Sequence, residues 1–352
     1  MPDLIVAGAG MAGLVAAAHA SERGASVVVL EKGDRTGGSM RLSSGVAWRY
    51  REWDRFRAEC PGGDPELQRL VHDRLDGDLA WLEGLGAPVV AGETGTPFTT
   101  GIRFDPEGLT RVLSERAGEV RLGEPLRELP RGTPVVLATG GFQGDEDLVR
   151  EHVTPEARSL VLRANPWSSG DGMRLGLAAG GSLTGGLGEF YGRNLPAPPA
   201  RIEAGAFVGL AQLYARHAKV RSATGEEYEP RTWSEIDVVQ WTARQPGARA
   251  TYVVPEAALH ERVRDLTVGE MIARAEAAGA PVSRSDGATE VDVVAGITTT
   301  LGGLRIDTNA RVADGVWAAG TDAGGIALGG YASGLAAALV LGRIAADAAL
   351  AA

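Results

Sequence analysis

Six residues constrain the fold of this chain more than any others. Residues 3–8 read as a short buried strand, and Gly8-Ala9-Gly10-Met11-Ala12-Gly13 follows at once and opens an Ala-rich stretch that reads as a helix to about Arg23. Gly24 stops that helix, and Ala25 to Leu30 reads as a second buried strand closing on Glu31. A strand, a GxGxxG turn, a helix and a second strand ending in an acidic residue about 20 residues on make a βαβ dinucleotide-binding unit. Gly8 permits the tight turn. Gly10 has no side chain, so a pyrophosphate can reach the helix N-terminus, where unpaired N–H groups and the helix dipole favour negative charge. Gly13 lets helix and strand pack closely, and Glu31 can accept hydrogen bonds from ribose hydroxyls.

The next segment selects the dinucleotide. Glu31 to Ser39 contains the paired Gly37 and Gly38, which make room for an extended cofactor, and Ser39, Ser43, Ser44 and Gly45 are placed to line a flavin end. NAD domains usually lack this extension, so the expected cofactor is FAD. Pro134 to Gly141 reads as a buried strand running into a glycine turn, a second meeting point of sheet and dinucleotide at Ala138, Thr139 and Gly140. Ser168 to Gly172 opens another helix and supplies Asp171, and Gly315 to Gly325 is a strand ending in a loop with Gly320, Thr321 and Asp322. The last helix starts near Gly334, flanked by Ser333 and Leu335. Met11, Ala12, Lys32 and Leu126 complete the expected cofactor contacts.

Composition removes several functions. A net charge of -10 over 352 residues opposes a general affinity for nucleic acid, which needs basic stripes to replace counterions. The basic cluster Arg49, Arg51, Arg55 and Arg57 is interleaved with acidic residues and reads as a solvated helix face. Cys60 is the only cysteine, which excludes an intrachain disulfide and a dithiol redox pair, and five scattered His show no metal-ligand spacing. Gly334 to Ala352 is apolar but interrupted by Arg343 and Asp347, so it reads as a buried small-residue helix, not a membrane span. No basic leader precedes the first strand, which points to the cytoplasm. From about 186 to 295, Trp, Tyr, Pro and charged residues rise and helical periodicity weakens, as in an inserted domain.

Five blocks occur in one order along the chain: Gly8–Gly13, Thr36–Gly45, Leu137–Gly144, Ser169–Gly172 and Thr300–Leu341. Together they resemble the fumarate reductase / 3-ketosteroid dehydrogenase flavoprotein superfamily. The resemblance implies an α/β fold: a Rossmann-like FAD-binding domain, discontinuous and mostly parallel in its sheet, with an inserted α+β capping domain. The expected division is 1–185 and 296–352 for the FAD domain and 186–295 for the cap. The segment from Val120 to Pro134 is short for this family, so the chain is a compact member.

Departures from the family pattern narrow the chemistry. Met40 stands about where succinate dehydrogenases have their FAD-linking His, so FAD should be noncovalent. Thr299-Thr300-Leu301-Gly302-Gly303 replaces a His-Thr-Met-Gly-Gly run that binds a substrate carboxylate, Tyr331 replaces a carboxylate-binding Arg, and Glu227 falls near the proton-donating Arg of the cap. A dicarboxylate substrate is therefore not expected. Tyr331 is similar to the ketosteroid dehydrogenase arrangement, in which a Tyr before a small, Gly-rich turn binds a ketone oxygen. The resemblance implies an oxidoreductase that desaturates or reduces a C–C bond beside a carbonyl in a neutral, fairly apolar small molecule, with a separate electron donor or acceptor. Tyr331 would polarise the carbonyl. Tyr191 and Arg193, at the cap junction, and Glu227 are the other catalytic candidates; His217 reads as an exposed helix position. A flavin oxidase or monooxygenase and a non-catalytic flavin-binding subunit are the competing functions.

Overall fold

The computed structural model describes residues 1–285 and 287–352. They form two compact units: Met1–Asp145 with Asn165–Glu189 and Thr299–Ala352, and Glu146–Ala164 with Phe190–Thr298. The second unit thus takes residues 146–164, which the sequence reading gave to the FAD domain. The reason is strand pairing at long range: Val161–Leu162 pairs in parallel with Gly296 and Ile297, and Thr154 Oγ1 donates to Ala243 O at 2.7 Å. Two-residue strands leave no periodic signal.

A six-stranded sheet organises the first unit. Its order is Arg311–Ala313, Val316–Ala318, Val135–Leu137, Leu4–Ala7, Val27–Glu31 and Glu119–Leu122. Every neighbouring pair is parallel except the first. Leu4–Ala7 lies between Val27–Glu31 and Val135–Leu137, so the chain leaves it first to one side and later returns to the other. That reversal opens a crevice at the strand's C-terminal end, which is where Gly8–Gly13 begins.

Two helices made of small residues close over this sheet. Helix Met11–Glu22 has ten of its residues buried, and the apolar helix Gly334–Leu350 packs on it closely enough that a Cβ at Gly342 would lie 2.7 Å from Ala12 O. The polar interruptions of the last helix have partners: Arg343 donates to Asp78, and Asp347 accepts from Arg23 and lies 2.8 Å from His19 Nε2. Among the described residues no helix is long and apolar enough to cross a membrane.

One local expectation changes. The basic cluster is not one helix face: Arg49 lies in strand Val46–Tyr50 and bonds Asp76 at 2.6 Å, while Arg55 and Arg57 lie in helix Trp53–Glu59. Leu304 forms only isolated bridges, with Leu183 and Ala323. The regular strand is the preceding segment, Ala288–Thr300. Gly302 and Gly303 end it by running backbone against backbone, with Cβ positions 2.6 Å from Leu187 N and 2.7 Å from Asp322 O.

The second unit is built on Ala288–Thr300, which pairs antiparallel with Arg249–Pro255 and Val282–Ser285; Lys219–Arg221 extends the sheet. Its core includes Tyr214, Tyr252, Val268, Met271 and Val291.

Candidate functional site

The three glycines of the first turn do different work. Gly8 has φ +103°, and a Cβ there would lie 2.3 Å from Ala138 O; one at Gly13 would lie 1.9 Å from Gly8 O. Both are forced by packing. Gly10 is the N-cap of helix Met11–Glu22, with no side-chain cap, and a Cβ there would meet nothing within 4 Å. The open side of Gly10 therefore faces an uncapped helix N-terminus, whose first-turn amides, at Met11, Ala12 and Gly13, have no partner within the helix. Gly37 donates its N–H to Ala9 O at 2.7 Å, and the Cβ position of Gly38 comes within 3.1 Å of Gly10 Cα.

Glu31 braces this turn. Its Oε2 accepts from Ala9 N and its Oε1 from Gly33 N, both at 2.6 Å, with the side chain buried. Each carboxylate oxygen keeps a second lone pair for a ribose hydroxyl. Lys32 Nζ donates to Asp171 Oδ2 at 2.8 Å and Ser169 Oγ at 2.6 Å. Ser39 Oγ accepts from Asn165 Nδ2 at 2.9 Å, Ser43 Oγ accepts from Gly45 N at 3.0 Å, and Ser44 O accepts from Arg103 Nε at 3.2 Å. Gly45 approaches Phe104 O so closely that a Cβ would lie 2.1 Å away. Leu126 is half-buried in the irregular segment 123–134.

Asp322 is turned inward. Its carboxylate accepts the backbone N–H groups of Thr139 and Gly141 and the Thr139 hydroxyl, and Thr139 Oγ1 accepts from Gly172 N at 2.9 Å. Burial pushes its carboxyl above the usual range, opposed by the N–H groups of Gly141 and Thr139. Asp322 and Thr139 together tie the ends of two strands to helix Asp171–Ala178. Ala138 and Gly140 follow the strand beside it, and Gly320, with φ +66°, brings its Cβ position within 2.9 Å of Ala12 Cβ.

Ser333 caps the last helix, its Oγ accepting from Ala336 N at 3.2 Å, while Gly334 is exposed and Leu335 half-buried. Two residues before the cap, half-buried Tyr331 has its carbonyl held by the Tyr50 hydroxyl at 2.6 Å and its ring 5.1 Å from that of Trp48. Cys60 is buried beside it: desolvation pushes the thiol up to about 12, partly offset by the Tyr331 amide.

The other catalytic candidates lie in the second unit. Arg193 is buried, donates to Ser234 O and has its guanidinium 5.2 Å from the ring centre of half-buried Tyr191. Glu227 is exposed on a turn bridged to Arg221. His217 is half-buried in a short 3-10 turn, not exposed on a helix, and burial lowers its pKa. Sequence reasoning missed four residues of the first unit. Asn165 and Trp167 reach Ser39 and Gly33, and Gln68 and Glu189 reach the loop before Tyr331. None sits in a glycine motif, so no local pattern announced them.

A parallel sheet with a glycine-lined, uncapped helix N-terminus at its switch point defines a dinucleotide-binding protein. A family model, the FAD binding domain, matches residues 3–121 and 128–336. The chain belongs to this family, and its cofactor is FAD. The site fits the group: Gly10 leaves space at the helix N-terminus, and Glu31 stands at the end of the second strand. The chain is 24% identical over 232 residues to a fumarate reductase (cytochrome) of Shewanella frigidimarina, covering 51% of this chain and 40% of that protein. It is 24% identical over 253 residues to a vinyl phenol reductase of Lactiplantibacillus plantarum, covering 56% and 49%. The chain thus spans less than half the length of either curated relative. The structure of 3-ketosteroid delta1-dehydrogenase from Sterolibacterium denitrificans superimposes with a TM-score of 0.75 at 15% identity, covering 99% of both chains, and shows the shared fold.

Proposed function

We propose that this chain is an FAD-dependent oxidoreductase that desaturates or reduces a C–C bond adjacent to a carbonyl in a neutral, fairly apolar small molecule. The observation that carries the reading is Tyr331, held half-buried just before the cap of the last helix, where fumarate-type relatives would present a carboxylate-binding Arg. Three relatives support redox chemistry at a C–C bond by name, a fumarate reductase, a vinyl phenol reductase and a 3-oxosteroid 1-dehydrogenase, and the last of these names a ketone substrate. Bound FAD supplies the hydride acceptor or donor for the β-carbon. Gly10 and the amides of Met11, Ala12 and Gly13 hold its pyrophosphate, and Glu31 its ribose. Tyr331 donates a hydrogen bond to the carbonyl oxygen, which makes the α-proton acidic in one direction and the β-carbon electrophilic in the other. The phenol offers a hydrogen-bond donor without the fixed positive charge of an Arg, which suits a ketone rather than a carboxylate. Tyr191, Arg193 and Glu227 lie in the other unit, and no step is placed on them. A separate small carrier or protein supplies or removes the electrons.

The test is anaerobic. The yellow holoprotein is reduced with dithionite and mixed with 4-vinylphenol, 2-cyclohexen-1-one, 4-androstene-3,17-dione or fumarate; bleaching of the oxidised protein by saturated ketones tests the reverse direction. Reoxidation by a neutral enone is expected. Reoxidation by fumarate alone, or by the carbonyl-free 4-vinylphenol alone, refutes the substrate class, and no exchange of electrons with any of them refutes the reaction.

A further inference from the structure

Residues 325–331 carry the proposed carbonyl donor, yet they contain no helix or strand. Their backbone is held from outside. The Asp64 amide donates to Gly325 O at 2.7 Å and the Gly62 amide to Leu328 O at 3.1 Å. The Glu189 carboxylate accepts from the Gly329 amide at 2.6 Å.

At the centre of this arrangement is Gln68, near the start of helix Pro65–Gly84, with 0% of its surface exposed. Its Nε2 donates to Ile326 O at 2.7 Å and to Cys60 O at 2.9 Å. Its Oε1 accepts from the Arg57 guanidinium. Both amide hydrogens are thus spent on carbonyls of two different segments, and a group that can only donate fixes which way the amide faces. Glycines let the segments meet: a Cβ at Gly63 would lie 2.2 Å from Ile326 O, and one at Gly330 would lie 1.7 Å from Glu59 O. A fully buried amide costs stability unless its groups are bonded. The neighbouring buried positions of this helix, Leu67, Val71 and Leu75, show that the fold buries apolar side chains along the same face. What an amide adds over a leucine is direction, and here the direction is that of the loop leading to Tyr331.

We propose that Gln68, oriented by Arg57, is a positioning residue that locks residues 325–331 and thereby sets where Tyr331 presents its hydroxyl. The proposal rests on the carbonyl-polarising reading of Tyr331 and names the device that makes that role possible.

The experiment uses the FAD-loaded protein and Gln68→Met, which keeps the length of the side chain and removes both donors. Hydrogen–deuterium exchange is measured on the amides of 325–331. Turnover is measured with 2-cyclohexen-1-one and 4-androstene-3,17-dione in Gln68→Met, Tyr331→Phe and the double variant. The expected result is faster exchange confined to 325–331 and 59–63, retained FAD, kcat lowered by about 10²-fold at nearly unchanged KM, and no further loss when Gln68→Met is added to Tyr331→Phe. If Gln68→Met does not fold, Arg57→Met, which leaves the amide in place but unoriented, is expected to raise the same exchange more weakly. Unchanged exchange at 325–331 in the folded variant overturns the proposal, as does a loss that multiplies fully with that of Tyr331→Phe. Normal turnover in Tyr331→Phe instead overturns the Tyr331 reading, and exchange alone then decides whether Gln68 holds the loop.

Discussion

Two glycine-rich segments of the first unit are held in opposite ways. In Gly8–Gly13 the constraint is close backbone packing: Gly8 lies against Ala138 O and Gly13 against Gly8 O, and the helix that follows is continuous with the turn. In residues 325–331 the constraint is remote: Gln68, Asp64 and Glu189 reach across from segments more than a hundred residues away in sequence to fix single backbone groups. Close packing of Gly8 and Gly13 dominates the first segment, with Glu31 bonded to Ala9, and hydrogen bonds from distant segments dominate the second. The first suits a cofactor contact that must not vary. The second suits a side chain whose position can be tuned without disturbing the dinucleotide.

The largest expected effect breaks the first segment. Gly10→Leu fills the space before the uncapped helix N-terminus and should yield folded, colourless protein that binds no FAD; a yellow variant with full occupancy would mean the phosphates lie elsewhere. Gly13→Leu should instead prevent folding, because its Cβ would strike Gly8 O. Equal behaviour of the two variants in circular dichroism would erase the distinction between a packing glycine and a ligand-facing one.

Next is the second segment. Tyr331→Phe removes only a hydroxyl and should leave FAD bound while lowering kcat by about 10²–10³-fold. Stopped-flow reoxidation by 2-cyclohexen-1-one measures it, and a change under threefold would demote Tyr331 to packing against Trp48.

Asp322→Asn probes the join between strand ends and should be milder. The amide puts an NH₂ group against one of the two backbone N–H donors, a cost of about 1–3 kcal/mol, read as lower Tm and weaker FAD retention. Burial raises the Asp322 pKa above 3.8, so its contribution to stability is greatest with the carboxyl protonated and falls as pH rises through the folded value. The Tm deficit of the variant should therefore shrink with increasing pH; a deficit that grows would mean that the carboxylate is the stabilising form.

The smallest effect uses Cys60 as a reporter of the second segment. Its thiol, pushed up to about 12 by burial, should resist iodoacetamide at pH 8. Alkylation measured by intact mass should accelerate several-fold in Gln68→Met and stay slow in Gly10→Leu. Acceleration in both would mean that the two segments are not held independently.

The sequence by itself determined the βαβ unit, its glycines, the acidic residue ending the second strand and hence the dinucleotide, because each of those constraints acts between residues close in the chain or at a fixed spacing. The end of the first helix at Gly24, which has positive φ, followed for the same reason. The family resemblance placed Tyr331 beside the last helix. Tertiary structure alone decided that 146–164 belongs with the second unit, that Glu31 and Asp322 spend their carboxylates on backbone amides, and that Gln68 grips the loop before Tyr331. A buried glutamine in an amphipathic helix looks in sequence like a surface residue on the wrong face. Its meaning lies in a carbonyl 258 residues away, a distance over which composition and periodicity carry no signal and only the closed fold brings donor and acceptor together.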